Sequence, residues 1–126
     1  VIERSGVEDY KLTLRRLALR DDLFIDGVLA EERASPVLSG LDPRSHALVR
    51  IATLIAVDAA PPSYMSAISA GLDAGLSMEE IVGTLIAVMP IVGVARVVSA
   101  APKLGLALGY DVSEAFEVVG SEDLER

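Results

Sequence analysis

Cysteine is absent from the 126 residues, and with it go disulfides, thiolate metal ligands and every catalytic cycle that runs through a thiol. Histidine occurs once, as His46, so a His-rich metal site within one chain is excluded as well; neither a metal nor a cofactor is expected. Aromatic residues make up 4% of a chain that is 52% hydrophobic, so the interior has to be built from Ala, Val, Leu and Ile, which favours closely packed helices. Basic residues are outnumbered 11 to 19, and the net charge of −8 repels phosphate backbones and anionic membranes. The expected partners therefore include no nucleic acid and no membrane. The longest uncharged run, "IVGTLIAVMPIVGVA" from Ile81 to Ala95, is interrupted by Pro90 and closed by Arg96, and it falls short of the roughly 20 residues a spanning helix needs. It reads as a buried core helix. The opening "VIERSGVEDYK" carries charges where a signal peptide would have its apolar centre, and the expectation is a soluble, cytoplasmic protein.

What is present is a succession of helix signals. Ser5 and Glu8 have the spacing of a capping box, predicting a helix from about residue 6 through "YKLTLRRLALRDD", with Leu14, Leu17 and Ala18 on its apolar face. Phe24, Val28 and Leu29 continue the helical rhythm after a bend at Asp21 and Asp22, and "RASPVLSG" reads as a loop punctuated by Pro36 and Gly40. Asp42 followed by Pro43 is an N-cap with proline at the first helical position, and Leu48, Ile51, Ala52 and Ile55 recur with helical spacing behind it. Pro61 and Pro62 break that helix and start the next, which ends at Gly75 in the position favoured for a left-handed cap. Ser77 and Glu80 form a second capping box. After Pro90 and Gly93 a further helix follows, kinked or divided at Pro102, and a short acidic helix is expected from about Val112. No stretch alternates with period two, so no strand is expected. The organisation is one domain made of an N-terminal helical segment (1–40), a helical core (41–110) and a short acidic C-terminal helix or tail (111–126). From Ile81 to Leu108 the chain is apolar around nearly its whole circumference, more than one small domain can cover, so another subunit is expected against it.

"LDPRSHALVRIATLIA", then "SAISAGLDAGLSMEEIVGTLIAVMPIVGVARVVSAAPKL", resembles the carboxymuconolactone decarboxylase family, which includes the alkylhydroperoxidase D-like proteins. The resemblance spans about Leu41 to Leu108. Its markers are the Leu-Asp-Pro opening, the Ala-Gly-x-Ser-x-Glu-Glu-Ile junction and the Val-Gly-Val-x-Arg-Val-Val segment. It implies an all-α, alkylhydroperoxidase D-like domain of about six or seven helices that assembles into a ring-like homo-oligomer, a trimer or hexamer. Peroxidase members carry Cys-x-x-Cys followed by His, and those positions fall here on Ala60, Ser63 and Ala67. A thiol-dependent peroxidase is therefore rejected.

Chemistry that remains is confined to a few side chains. His46 lies one turn before Arg50 on the same helical face and could serve as a general base, or stand as a surface or interface residue near a helix start. Asp58 sits where its charge opposes the helix dipole, so it either caps the turn into Pro61 and Pro62, pairs with an arginine, or acts catalytically. Tyr64 could orient a substrate oxygen or fill space that alanines leave, and Ser63 beside it is a substrate contact or an ordinary hydroxyl near a helix start. Arg96, inside an apolar stretch, is expected to be at least partly buried against an internal carboxylate, Asp58 or Asp73, or against the carboxylate of a small ligand. The candidate catalytic set is His46, Tyr64 and Asp58, and the candidate substrate-binding set is Arg50, Ser63 and Arg96. Two functions follow: a lyase or isomerase acting on a small carboxylate or lactone, or a non-catalytic small-molecule-binding or accessory oligomer.

Overall fold

A computed structural model describes residues 6–31 and 34–113, with side chains from Tyr10 onward. The described residues are all-helical: α1 (Gly6–Ala18), α2 (Asp22–Leu29), α3 (Ala34–Ser39), α4 (Pro43–Ala56), α5 (Pro61–Asp73), α6 (Met78–Val92) and α7 (Val94–Ala107). None of these helices is long and apolar enough to cross a membrane. The chain divides into two compact units between Leu41 and Asp42.

The first unit holds α1 to α3. The break after α1 comes at Arg20, which takes a left-handed conformation (φ 54°), and Asp21 then caps α2 by accepting the Phe24 N–H. Arg16 stacks over the Phe24 ring, 5.4 Å from its centroid. The segment expected to be a loop contains α3 instead. Pro36 falls in its first turn, where a missing N–H removes no helical bond, and Gly40 ends it in the left-handed region (φ 72°). No residue of α2 or α3 is fully buried, and Leu14, Leu17, Leu23 and Val37 are exposed.

The second unit is built from α4 to α7. Helix α4 packs against α5 and α6, and α7 packs against the same two, so the four form a closed ring with α4 opposite α7. Local signals set each boundary. The Asp42 carboxylate accepts the Ser45 N–H at 2.8 Å, and Pro43 opens α4. At Ser77 the reciprocal capping box forms in full: the hydroxyl accepts the Glu80 N–H and the Glu80 carboxylate accepts the Ser77 N–H. Gly75 (φ 94°) ends α5, its N–H donating to Leu72 while the Leu76 N–H reaches back to Gly71. Helix α7 is continuous through Pro102 rather than divided there. The ring of Pro102 is on the exposed side, while Val97, Ala100 and Leu104 hold the opposite face in the core. Val112 and Ser113 are helical, and the rest of the expected C-terminal helix lies outside the described residues, as does Ser5 of the first capping box.

The core comprises Ile51 and Ile55 from α4, Tyr64, Ala67 and Ile68 from α5, Ile81 and Leu85 from α6, and Val97, Ala100 and Leu104 from α7, with Leu76 between α5 and α6. Its small residues set the helix spacing. A Cβ on Gly71 would sit 3.1 Å from Leu76 Cδ1, tighter than ordinary contact, and 3.6 Å from Ile51 Cδ1, so glycine is what lets Leu76 fold back from the turn onto α5.

Candidate functional site

Asp58, two residues past the end of α4, is the centre of the polar cluster in the second unit. It holds φ 55°, the left-handed position that closes a helix. The Asp58 N–H donates to Ile55 and the Ala59 N–H to Leu54, the same double closure that Gly75 gives α5 and Gly109 gives α7. Two helices use glycine at this position and α4 uses aspartate, whose short side chain tolerates the conformation better than most but still pays strain. The side chain explains the choice. Ser99 donates its hydroxyl to Asp58 Oδ1 at 2.7 Å, and Lys103 Nζ donates to the same oxygen at 3.1 Å and to the Ala59 carbonyl at 3.0 Å. Ser99 and Lys103 stand one turn apart on α7. The cluster ties the end of α4 to the middle of α7, on opposite sides of the helical ring.

The electrostatics follow from these contacts. The Ser99 hydroxyl, then the Lys103 ammonium, and more weakly Arg96, hold the Asp58 carboxyl below its ordinary 3.8. Tyr64, one turn into α5, is wholly buried, and its hydroxyl meets no hydrogen-bond partner among the described residues. Burial, and secondarily the negative charge of Asp58, push the phenol above its ordinary 10.0. Tyr64 thus feels Asp58 without bonding to it.

The structure gathers Asp58, Tyr64 and Arg96 into one electrostatic neighbourhood and leaves the other candidates outside it. Arg96 is exposed rather than partly buried, and its expected ion pair with Asp58 or Asp73 does not form among the described residues; Lys103 takes that place. The reason lies in helical phase: Val97 and Ala100 turn inward, which carries Arg96 outward. Ser63 is exposed in the first turn of α5, next to the inward-facing Tyr64. His46 and Arg50 are half-buried on successive turns of α4, and at 1.5 Å per residue His46 is about 15 Å along the helix axis from its last residue, Ala56, past which Asp58 lies. Among the described residues no group of three or more His, Asp or Glu side chains converges as a metal site requires.

Ser99 and Lys103 are the members that sequence reasoning missed. The signal was available: a carboxylate at the negative end of a helix needs a donor, and the Ser-x-x-x-Lys spacing puts a hydroxyl and an ammonium on one face of a helix whose other residues, Arg96 apart, are apolar.

A second feature is apolar. Helices α4 and α6 flank a groove of about 440 Å³ lined by Leu48, Val49, Ala52, Gly83, Ala87 and Val88, with Thr84 and Glu80 at its floor and end. The Glu80 carboxylate is ion-paired to Arg44, whose guanidinium also donates to the Gly75 carbonyl. No protein-family model, curated protein or solved structure matches the chain.

Proposed function

We propose that the chain is the subunit of a homo-oligomeric, carboxymuconolactone decarboxylase-like protein that has given up thiol chemistry and serves as a binding or accessory assembly rather than as a catalyst. The observation that carries this reading is the structural commitment of the polar cluster. Asp58 is engaged by Ser99 and Lys103, Lys103 is further bonded to the Ala59 carbonyl, and Tyr64 is buried, so these groups hold the α4–α5 turn against α7. The cluster's one carboxylate, which water reaches, is paired with an ammonium, and among the described residues no unprotonated imidazole or free nucleophile is bonded to it. The positions that the resemblance assigns to the redox pair and its histidine support the same conclusion: Ala60, the exposed Ser63 and the buried Ala67 offer neither thiol nor imidazole. Assembly is supported by the apolar side chains that α6 leaves uncovered, among them Met78, Val82, Ile86 and Ile91.

A second reading, a lyase or isomerase on a small carboxylate or lactone, is favoured by one observation. A buried phenol without a partner is unusual and costs free energy, and a ligand oxygen delivered beside Asp58 would satisfy it. Light scattering after size exclusion, combined with turnover of carboxymuconolactone, tests the two. The expected result is an assembly whose mass is a multiple of 13.3 kDa and no turnover above buffer. Turnover that disappears in Asp58→Asn would establish the lyase instead.

A further inference from the structure

Helix α6 carries two neighbouring surface rows with four-residue spacing. Met78, Val82, Ile86 and Pro90 make an exposed ridge, with Ile86 69% and Met78 52% accessible. The next row around the helix passes through Gly83 and Ala87, and it is hollow: nothing lies within 4 Å of where a Gly83 side chain would begin. Beyond the hollow lies the α4–α6 groove, and on its other side a second depression of about 320 Å³ runs between Met78, Val82, Gly83 and Ile86, with Glu79 the one charged residue in its lining. The hollow, closed by Glu79 and Ile91 in its own row, lies beside the middle of the ridge, Val82 and Ile86, on the same helix.

That arrangement is self-complementary. A two-fold axis near Gly83 and Ala87 lays the ridge of one α6 into the hollow of the other, and the reverse, which is ridges-into-grooves packing along the four-residue rows. Resting on the oligomeric reading above, we infer that the occupant of this face is a second copy of the chain, seated α6 against α6 about a two-fold axis. Two further observations select that occupant. With Val49 and Ile91 at its margins, the face joins five large apolar side chains that are each at least 42% exposed, the kind of contiguous patch that marks an interaction site and forms the apolar part of a standard interface. Charge agrees. Copies with a net charge of −8 repel one another, and they can meet only where that charge is absent. On α6 the only charged residues are Glu79 and Glu80 in its first turn, and Glu80 is neutralised by Arg44 of its own copy.

Gly83→Leu fills the hollow, its Cβ meeting nothing of its own chain within 4 Å, and Ile86→Glu charges the ridge; Val98→Glu, on the exposed side of α7, is the comparison. Light scattering at micromolar concentration is expected to give wild type and Val98→Glu the same mass, an even multiple of 13.3 kDa, and the two α6 variants half that mass or less with unchanged helical circular dichroism. Because the chain has no cysteine, Ala87→Cys offers an independent check: oxidation is expected to convert every chain into covalent dimer, since a two-fold contact brings one position against itself in each pair, whereas a three-fold axis would leave one chain in three unlinked. An assembly that survives both α6 substitutions, an odd-numbered assembly, or one broken only by Val98→Glu overturns this interface while leaving the oligomeric reading intact. A monomeric wild type overturns both, and if its face then takes up an apolar dye that Gly83→Leu excludes, the face belongs to a different partner.

Discussion

Lys103 Nζ stands 3.1 Å from Asp58 Oδ1, joining the middle of α7 to a residue held in the left-handed backbone region at the end of α4. The pair is partly exposed, so its Coulomb attraction alone is modest. Its weight comes from the company it keeps. Ser99 shares the carboxylate oxygen, and the ammonium also satisfies the Ala59 carbonyl, a backbone acceptor that the turn leaves without a helical partner. One lysine and one serine therefore secure both the side chain and the backbone of the turn.

Acid should loosen this tie before it affects the core. The Asp58 carboxyl is held below its ordinary 3.8 by Ser99 and Lys103, so the folded state binds that proton less readily than the unfolded chain. The stabilisation is fully present above about pH 4 and is lost as pH falls through the lowered value. Asp42, Glu80 and Asp111 are shifted in the same direction by hydrogen bonds at helix starts and turns. Melting temperature recorded from pH 6 to pH 2 should thus drop below pH 4, and Asp58→Asn should both lower the neutral-pH value and shrink the drop. An identical pH profile for the variant would remove Asp58 from this account.

The backbone at Asp58 makes a separate prediction. Glycine adopts the left-handed region freely and alanine does not, so Asp58→Ala loses the tie and keeps the strain, whereas Asp58→Gly loses only the tie. Asp58→Gly should melt roughly 4 °C above Asp58→Ala, the shift expected from one left-handed residue in a domain of this size. Equal melting temperatures would mean that the turn relaxes once the carboxylate is gone.

How much of this was legible in the sequence divides by range. Caps at Asp42 and Ser77 and the Gly75 terminus follow from rules that act over three or four residues, and each formed at the expected residue. Helix α3 was obscured because Pro36 and Gly40 signal a turn as readily as the first turn and the end of a short helix. The tie between Asp58 and Lys103 joins residues remote in sequence, and local rules carry no term for it. Phase was the hardest to read on α6 and α7. Where a helix is apolar on every side, periodicity does not say which face turns inward, so Arg96 was placed toward the core when Val97 and Ala100 occupy it.

Hydroperoxide should not be consumed. Without a thiol the chain lacks the atom that attacks the peroxide bond, and methionine sulfur reacts stoichiometrically, not catalytically. Purified protein with a dithiol reductant should match buffer. Sustained enzyme-dependent consumption would overturn the assignment.

Tyr64 supplies the most discriminating substitution. The ring is the largest fully buried side chain among the described residues, so Tyr64→Ala should cost about 3–5 kcal/mol, as removal of a core aromatic does. The hydroxyl is a different matter. It is buried without a partner among the described residues, so it gives up hydration and receives nothing in return. Tyr64→Phe should therefore be neutral or stabilising by up to about 1 kcal/mol in urea unfolding. The phenol also carries its own titration signature. Because burial and Asp58 raise it above 10.0, the folded state keeps the proton longer than the unfolded chain, and the associated stability is present below pH 10 and lost as pH rises beyond it. The tyrosinate absorbance that wild type shows and Tyr64→Phe lacks should accordingly appear only above pH 10, alongside alkaline unfolding that the variant resists. A Tyr64→Phe loss greater than about 1.5 kcal/mol, more than a typical hydrogen bond contributes, would mean that the hydroxyl has a partner in the assembled protein. In that case the phenol beside Asp58 becomes a recognition group, and the lyase reading moves ahead of the accessory one.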